Sequence, residues 1–258
     1  MATDLPPCGG DVRQDRGGQR RALLTRLAAA ITTALTTLPV LASDLPAGFV
    51  RLKDVDPTVR QDMRYAGSLN FMGRPAKGYD AAECILTEQA AKALAEVQKA
   101  VTAEGLTLIV FDCYRPVSAV DDFVAWTKER GPANPQWHPK VKRSALIAQG
   151  YIGAKSSHSR GSTVDLALGP LEGPGAPDPD CGAQQTGTLD FGAGFDCFDP
   201  KSATAFSPLS PEATANRQRL VAAMTAAGFV NYKREWWHFT LKDEPFKQRF
   251  DFPVESGN

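Results

Sequence analysis

Two short stretches of this chain hold side chains able to do chemistry together: S-S-H-S-R-G-S-T-V-D, ending at Asp165, and E-W-W-H, ending at His238. Among them His158, Asp165 and His238 offer two imidazoles and a carboxylate, a donor set that suits Zn²⁺. Zinc sites that do chemistry keep three protein ligands and one position for water, whereas structural sites are closed, usually by cysteines. Glu235, three residues before His238, is placed to act as a base on that water. The chain has only three histidines, and two of them fall in these stretches. The third, His138 in W-H-P, reads as an ordinary loop histidine and not as a ligand. The leading expectation is a hydrolase with one zinc ion per chain.

Each motif also has a plainer reading. A histidine and an aspartate seven residues apart can simply tie a loop, Trp236 and Trp237 can be core, and Arg115 before a proline can be a salt-bridge partner. Glu235 and His238 would point to opposite faces of an ideal strand, because side chains alternate. Their cooperation therefore requires a bend or bulge around Trp236-Trp237.

The elements that must position these residues are partly legible. Residues 87–105 read as a helix, with Thr87 as cap, Ala90, Leu94, Val97 and Val101 on one face, and Gly105 as the stop. Residues 106–111 follow as a buried strand that ends at D-C-Y-R-P. A helix from Ser118 presents Val120, Phe123, Val124 and Thr127 before Gly131. Ser159-Arg160-Gly161 reads as a turn and residues 164–168 as a strand. Ser210-Pro211 opens a helix running to Gly228. Residues 229–232 and 237–241 read as two strands around a turn. Residues 169–208 are rich in Gly, Pro and Asp but also hold Phe191, Phe195, Phe198 and Phe206. That combination predicts an ordered loop covering a site. The fold class expected is α+β, a single domain with a central mainly antiparallel sheet flanked by helices and the zinc site in a cleft.

Of 258 residues, 43% are hydrophobic and 22% charged, the formal net charge is zero and the pI is about 6.8. Nothing there points to a nucleic-acid or anionic-membrane partner. Residues 1–42 have a different character. Arg13, Arg16, Arg20, Arg21 and Arg26 lead into a short apolar stretch, residues 27–41, that closes on Val40-Leu41-Ala42. This is the order of a secretory signal, with an apolar part shorter than the roughly 20 residues of a membrane span. Arg20-Arg21 is loosely twin-arginine-like. The expectation is an exported, periplasmic protein with a mature domain of residues 43–258 and no stable membrane association after cleavage. Apart from Cys8 in the leader, Cys84, Cys113, Cys181 and Cys197 allow two disulfides. Cys181–Cys197 is the preferred pair, and Cys113 reads equally well as a free buried thiol.

The ordered motifs S-x-H-x-x-G-x-x-x-D, D-x-Y-R-P and E-W-W-H resemble those of D-alanyl-D-alanine dipeptidases of the VanX type, zinc peptidases acting on peptidoglycan peptides. The resemblance runs from Asp62-Met63-Arg64-Tyr65 through Asn70-Phe71 and Gly78-Tyr79 to Phe250-Asp251-Phe252-Pro253. It implies His158, Asp165 and His238 as zinc ligands, Glu235 as catalytic base and Arg115 as stabiliser of the tetrahedral intermediate. It implies Asp196 as the carboxylate receiving the ammonium group of D-Ala-D-Ala, with Asp190 and Asp199 as competitors because the intervening loop is longer here. Tyr65, Tyr79, Asp112, Phe123, Ser156 and Trp236 match positions lining or supporting the dipeptide pocket. Cys113 departs from the family, which has a small residue there, and the leader departs from its cytoplasmic members. The alternatives are a D,D-carboxypeptidase on longer wall peptides and a non-catalytic zinc-bearing peptide-binding module.

Overall fold

Helix α2 (Glu88–Thr102) starts where local chemistry dictates: Thr87 Oγ1 accepts the Ala90 N–H at 3.4 Å. Gly105, at φ +75°, takes the left-handed turn that follows it. The helix buries Ala90, Ala91, Leu94, Val97 and Val101, and each larger side chain contributes roughly 1.5–3 kcal/mol when fully removed from water. The computed structural model of the protein describes residues 45–132 and 134–257, so the leader expected over residues 1–42 lies outside the described residues. The described residues belong to one compact unit, and no described helix is long and apolar enough to cross a membrane.

The remaining elements are β1 (Phe49–Arg51), α1 (Leu52–Val55), β2 (Arg60–Gln61), β3 (Ile85–Thr87), β4 (Leu106–Asp112), α3 (Val117–Trp126), β5 (Thr163–Pro170), α4 (Pro211–Ala226), β6 (Phe229–Asn231) and β7 (His238–Leu241). The main sheet has the order β2-β4-β5-β7-β6, antiparallel throughout except for the β2–β4 pair. A small antiparallel pair joins β1 to β3. Helices α2 and α4 pack on each other and on the sheet, which confirms the α+β class with a mainly antiparallel centre. All seven residues of β4 are buried, as a strand covered on both faces must be.

Helix α4 is capped by Ser210, whose Oγ accepts from the Ala213 N–H at 3.0 Å. Its buried face includes Asn216 and Arg217 beside Leu220 and Met224. Arg217 donates to the carbonyls of Phe191, Lys201 and Ala203 at 2.5–2.9 Å. A buried cation is thereby spent on the carbonyls of a loop with no ladder of its own, and burial lowers its pKa to about 10. Residues 171–208 carry only the short 3-10 turn Pro200–Ser202, and residues 169 and 170 belong to β5.

Several boundaries differ from the sequence reading. Helix α3 starts at Val117 and buries Trp126, while Val124 is only half-buried. Its first turn is capped from far away, by Asp251 Oδ1 accepting from the Ser118 N–H at 2.7 Å. Strand β7 begins at His238, not at Trp237, because the Glu235 N–H bonds to the Tyr232 carbonyl at 2.9 Å and closes a turn there. Cys181 and Cys197 are bonded, as preferred. Of the two readings open for Cys113, the bonded one holds: it is joined to Cys84, the Cα atoms lying 5.3 Å apart, because β3 brings Cys84 beside the end of β4.

Candidate metal centre and catalytic cleft

Strand register places the centre. Asp165 on β5 pairs with Asp112 on β4 and with His238 on β7, and directly opposed residues share a face of the sheet. The β4–β5 pairing shifts register between Val110 and Asp112. The extra residue, Phe111, is what sets Asp112 opposite Asp165. His158 arrives from the 3-10 turn His158–Arg160 just before β5, which ends on Gly161 at φ +82°. A side chain on Gly161 would place its Cβ 2.2 Å from Phe49 Cε1, so only glycine fits.

Hydrogen bonds choose which ring nitrogens face inward. His158 Nδ1 donates to the Cys113 carbonyl at 2.7 Å, which leaves Nε2 free to bind a metal. His238 Nε2 lies 3.3 Å from Ser157 Oγ, and its Nδ1 points to Asp165. Donors bound at roughly 2.0–2.1 Å to one tetrahedral ion sit about 3.3 Å apart. Here His158 Nε2 is 3.3 Å from His238 Nδ1 and 3.2 Å from Asp165 Oδ2, and His238 Nδ1 is 3.0 Å from Asp165 Oδ1. Asp165 Oδ1 is buried and accepts no well-formed hydrogen bond. The three donors thus fit a zinc ion, and a group that could hold a metal is formed by these residues. Burial opposes the charge on Asp165, yet His158 and His238 hold its carboxyl below the usual range. Burial also opposes protonation of His238, and Asp165 outweighs it, raising the imidazole above its usual value.

Around this group lies a cavity of about 250 Å³, below the usual 300–1,000 Å³ of drug-sized sites. Glu235, Arg115, Asp196, Tyr65, Phe123 and Ser156 all line it together with the three candidate ligands. The hairpin turn between β6 and β7 supplies the bend that Glu235 and His238 needed, and Glu235 Oε2 lies 3.5 Å from His238 Nδ1. Burial raises the Glu235 carboxyl to about 7 against the pull of His238. A carboxylate near neutrality is matched to proton transfer.

Arg115 is held from behind. Its Nε donates to Asp112 Oδ2 at 2.9 Å, its Nη2 at 2.8 Å, and its guanidinium carbon lies 5.1 Å from the ring centres of both Tyr65 and Phe123. Asp112 also lies 3.3 Å from His158 Nδ1 and accepts from Tyr79 OH at 2.5 Å. Burial raises the Asp112 carboxyl, opposed by Arg115 and His158. At the far side Asp196 Oδ2 accepts from Tyr65 OH at 2.7 Å. Burial lifts its carboxyl well above the usual range, opposed by that bond. The competitors are elsewhere: Asp190 accepts from Gly192 N–H and Ser210, and Asp199 pairs with Lys140.

Three expected pocket residues do not line the cavity. Tyr79 and Asp112 stand behind Arg115 and His158, as just described. Trp236 turns away, stacked on Phe191 at 4.1 Å and donating its indole N–H to the Ala193 carbonyl. The neighbouring Trp237 lines the cavity instead, its ring edge-on to that of Trp236. Sequence reasoning missed Ser157, Trp237, Tyr232 and Phe198, which also line it. Ser157 and Trp237 sit inside the two motifs and Phe198 in the loop expected to cover a site, so each carried a signal; Tyr232 carried none.

The sequence model of a family described as D-ala-D-ala dipeptidase, among the M15 peptidases, matches residues 46–255. A D-alanyl-D-alanine dipeptidase from Enterococcus faecium is 36% identical over 212 residues, covering 81% of this chain and 98% of the relative. One from Enterococcus faecalis is 37% identical over 211 residues, covering 80% and 98%. One from Streptomyces coelicolor is 38% identical over 200 residues, covering 76% and 93%.

Proposed function

Because this chain belongs to the D-ala-D-ala dipeptidase family and is a peptidase, we propose that it hydrolyses D-Ala-D-Ala with one zinc ion held by His158, Asp165 and His238. The observation that carries the reading is the convergence of three donors at tetrahedral spacing with Glu235, Arg115 and Asp196 around one small cavity. Zinc in such a site supplies Lewis acidity to water and to the scissile carbonyl.

The protein's own groups do the rest. Glu235 takes the proton from the attacking water and returns it to the leaving amine, a role worth roughly 10²–10⁴-fold. Arg115 offers N–H donors to the oxygen on which negative charge grows. Its tie to Asp112 keeps the fork oriented before substrate arrives. Asp196, backed by Tyr65, pairs with the free ammonium group of the dipeptide. A carboxylate at the end of a small cavity favours a dipeptide with a free amino terminus over longer peptides.

The same reading places the mature protein outside the cytoplasm. Its support is the secretory order of residues 1–42 and the two disulfides, which persist in oxidising compartments. There the enzyme would meet dipeptide released by wall turnover and salvage it. Recovery of uncleaved protein from the cytoplasm would remove that support.

The deciding experiment is hydrolysis by residues 43–258, zinc-loaded and zinc-stripped, of D-Ala-D-Ala, L-Ala-L-Ala and a wall pentapeptide. Zinc-dependent cleavage confined to the D,D-dipeptide is expected. Cleavage of the pentapeptide instead would make the protein a D,D-carboxypeptidase, and cleavage of nothing by zinc-loaded protein would make it a binding module.

A further inference from the structure

Asp196 is held in an unusual way. Its backbone is left-handed, at φ +59°, a conformation uncommon for any residue with a side chain, though aspartate tolerates it better than most. Such a residue persists where its surroundings over-determine it. No strand or helix does so here, since only the short turn Pro200–Ser202 interrupts the chain between β5 and α4.

What determines it is a crossing of two segments. Gly194 N–H donates to the Cys181 carbonyl and Ala183 N–H to the Phe195 carbonyl, both at 2.8 Å. Gly182, at φ +93°, lies so close that a Cβ there would stand 2.5 Å from Gly194 C. The Cys181–Cys197 bond is the covalent rung of this crossing, with Cα atoms 5.2 Å apart, and Cys197 directly follows Asp196. On the inner side Phe195 stacks on Phe111 at 4.9 Å, so the chain is pinned on both sides of the carboxylate.

We infer that Cys181 and Cys197 are positioning residues for substrate recognition: their disulfide holds Asp196 where its carboxylate meets Tyr65 and the ammonium group of the dipeptide. The inference rests on the reading of Asp196 given above. A disulfide that merely stapled the loop would add stability and leave recognition untouched. A positioning disulfide governs KM for substrates that carry the free amine. The Cys84–Cys113 bond provides the contrast, since the Cys113 carbonyl orients His158. Its loss acts at the metal rather than on the amine.

The test uses zinc-loaded mature protein carrying Cys181→Ala with Cys197→Ala, assayed on D-Ala-D-Ala and on its N-acetyl derivative, with zinc content measured alongside. KM for D-Ala-D-Ala should rise by roughly 10–100-fold, the size expected when a binding group is displaced by about 1 Å. The kcat, the zinc content and the poor KM of the N-acetyl derivative should stay near wild type, so discrimination between the two substrates shrinks. Wild-type KM in a variant with a lowered Tm would overturn the inference. Should the double variant not fold, Cys181→Ser decides: it breaks the same bond with a smaller change of side chain, and it should give the same KM signature. Absence of cleavage by the wild type would sink the functional reading, and an unchanged KM in Asp196→Asn would sink the role of Asp196. Either is distinguishable from failure of the disulfide inference alone.

Discussion

Replacing Arg115 by lysine keeps the charge and removes the fork. Arg115 makes two contacts to Asp112 Oδ2, at 2.9 and 2.8 Å, and its guanidinium carbon lies 5.1 Å from the ring centres of Tyr65 and Phe123. A lysine ammonium is a single point charge on a flexible stem and cannot hold Asp112 while also presenting donors to the reacting carbonyl. Loss of one such donor costs on the order of 10²–10³ in kcat, about 2.7–4 kcal/mol. The fold also loses one charge-assisted bond to a fully buried carboxylate, worth about 1.5–3 kcal/mol. The assay is D-alanine release with kcat and KM determined separately, beside urea unfolding and zinc content. We expect kcat to fall by about 100-fold or more with KM little changed, zinc retained and stability lowered. Asp112→Asn should lower kcat by the same route, and the double variant should be strongly non-additive. An Arg115→Lys enzyme with near-wild-type kcat, or additive effects, would refute the argument that Asp112 acts by orienting Arg115.

Glu235→Gln should keep zinc and lose roughly 10²–10⁴ in kcat. The same variant reports pH dependence in the zinc-free protein. The Glu235 carboxyl is raised to about 7 by burial, so the folded state binds its proton more tightly than the unfolded state does. Stability relative to Glu235→Gln is therefore greatest in acid and is lost as pH rises from the ordinary carboxylate range through about 7, by about 1–3 kcal/mol. A flat difference between pH 5 and 8 in urea unfolding would contradict the burial. Asp196→Asn should raise KM for D-Ala-D-Ala and relax the requirement for a free amine, read by comparing the N-acetyl derivative. Gly161→Ala combines φ +82° with a Cβ 2.2 Å from Phe49 and should cost about 2–5 kcal/mol. A loss below about 1 kcal/mol would mean that Phe49 moves aside at little cost.

Much of the scaffold was written in local chemistry. Thr87 and Ser210 cap α2 and α4 as their types require, and for α2 the apolar spacing between cap and glycine marks the helix, because all those interactions lie within one turn. The candidate ligands were legible because only a few residue types bind zinc and, of the chain's three histidines, two fall in the two motifs. The sequence could say that Glu235 and His238 need a bend, and not what kind.

The tertiary structure decided everything that depends on contacts between distant segments. The extra residue at Phe111 brings Asp112 opposite Asp165, and nothing near Phe111 in the sequence announces it. Cys84 meets Cys113 across 29 residues, and the Cys113 carbonyl then selects the His158 nitrogen left for a metal. Trp237 takes the cavity wall and Trp236 the core because of where Phe191 and the Ala193 carbonyl happen to lie. Propensity and capping act over a turn of chain, so sequence determines them. Register, ring orientation and disulfide pairing are set by the closing of long loops, whose partners only the packed fold brings together.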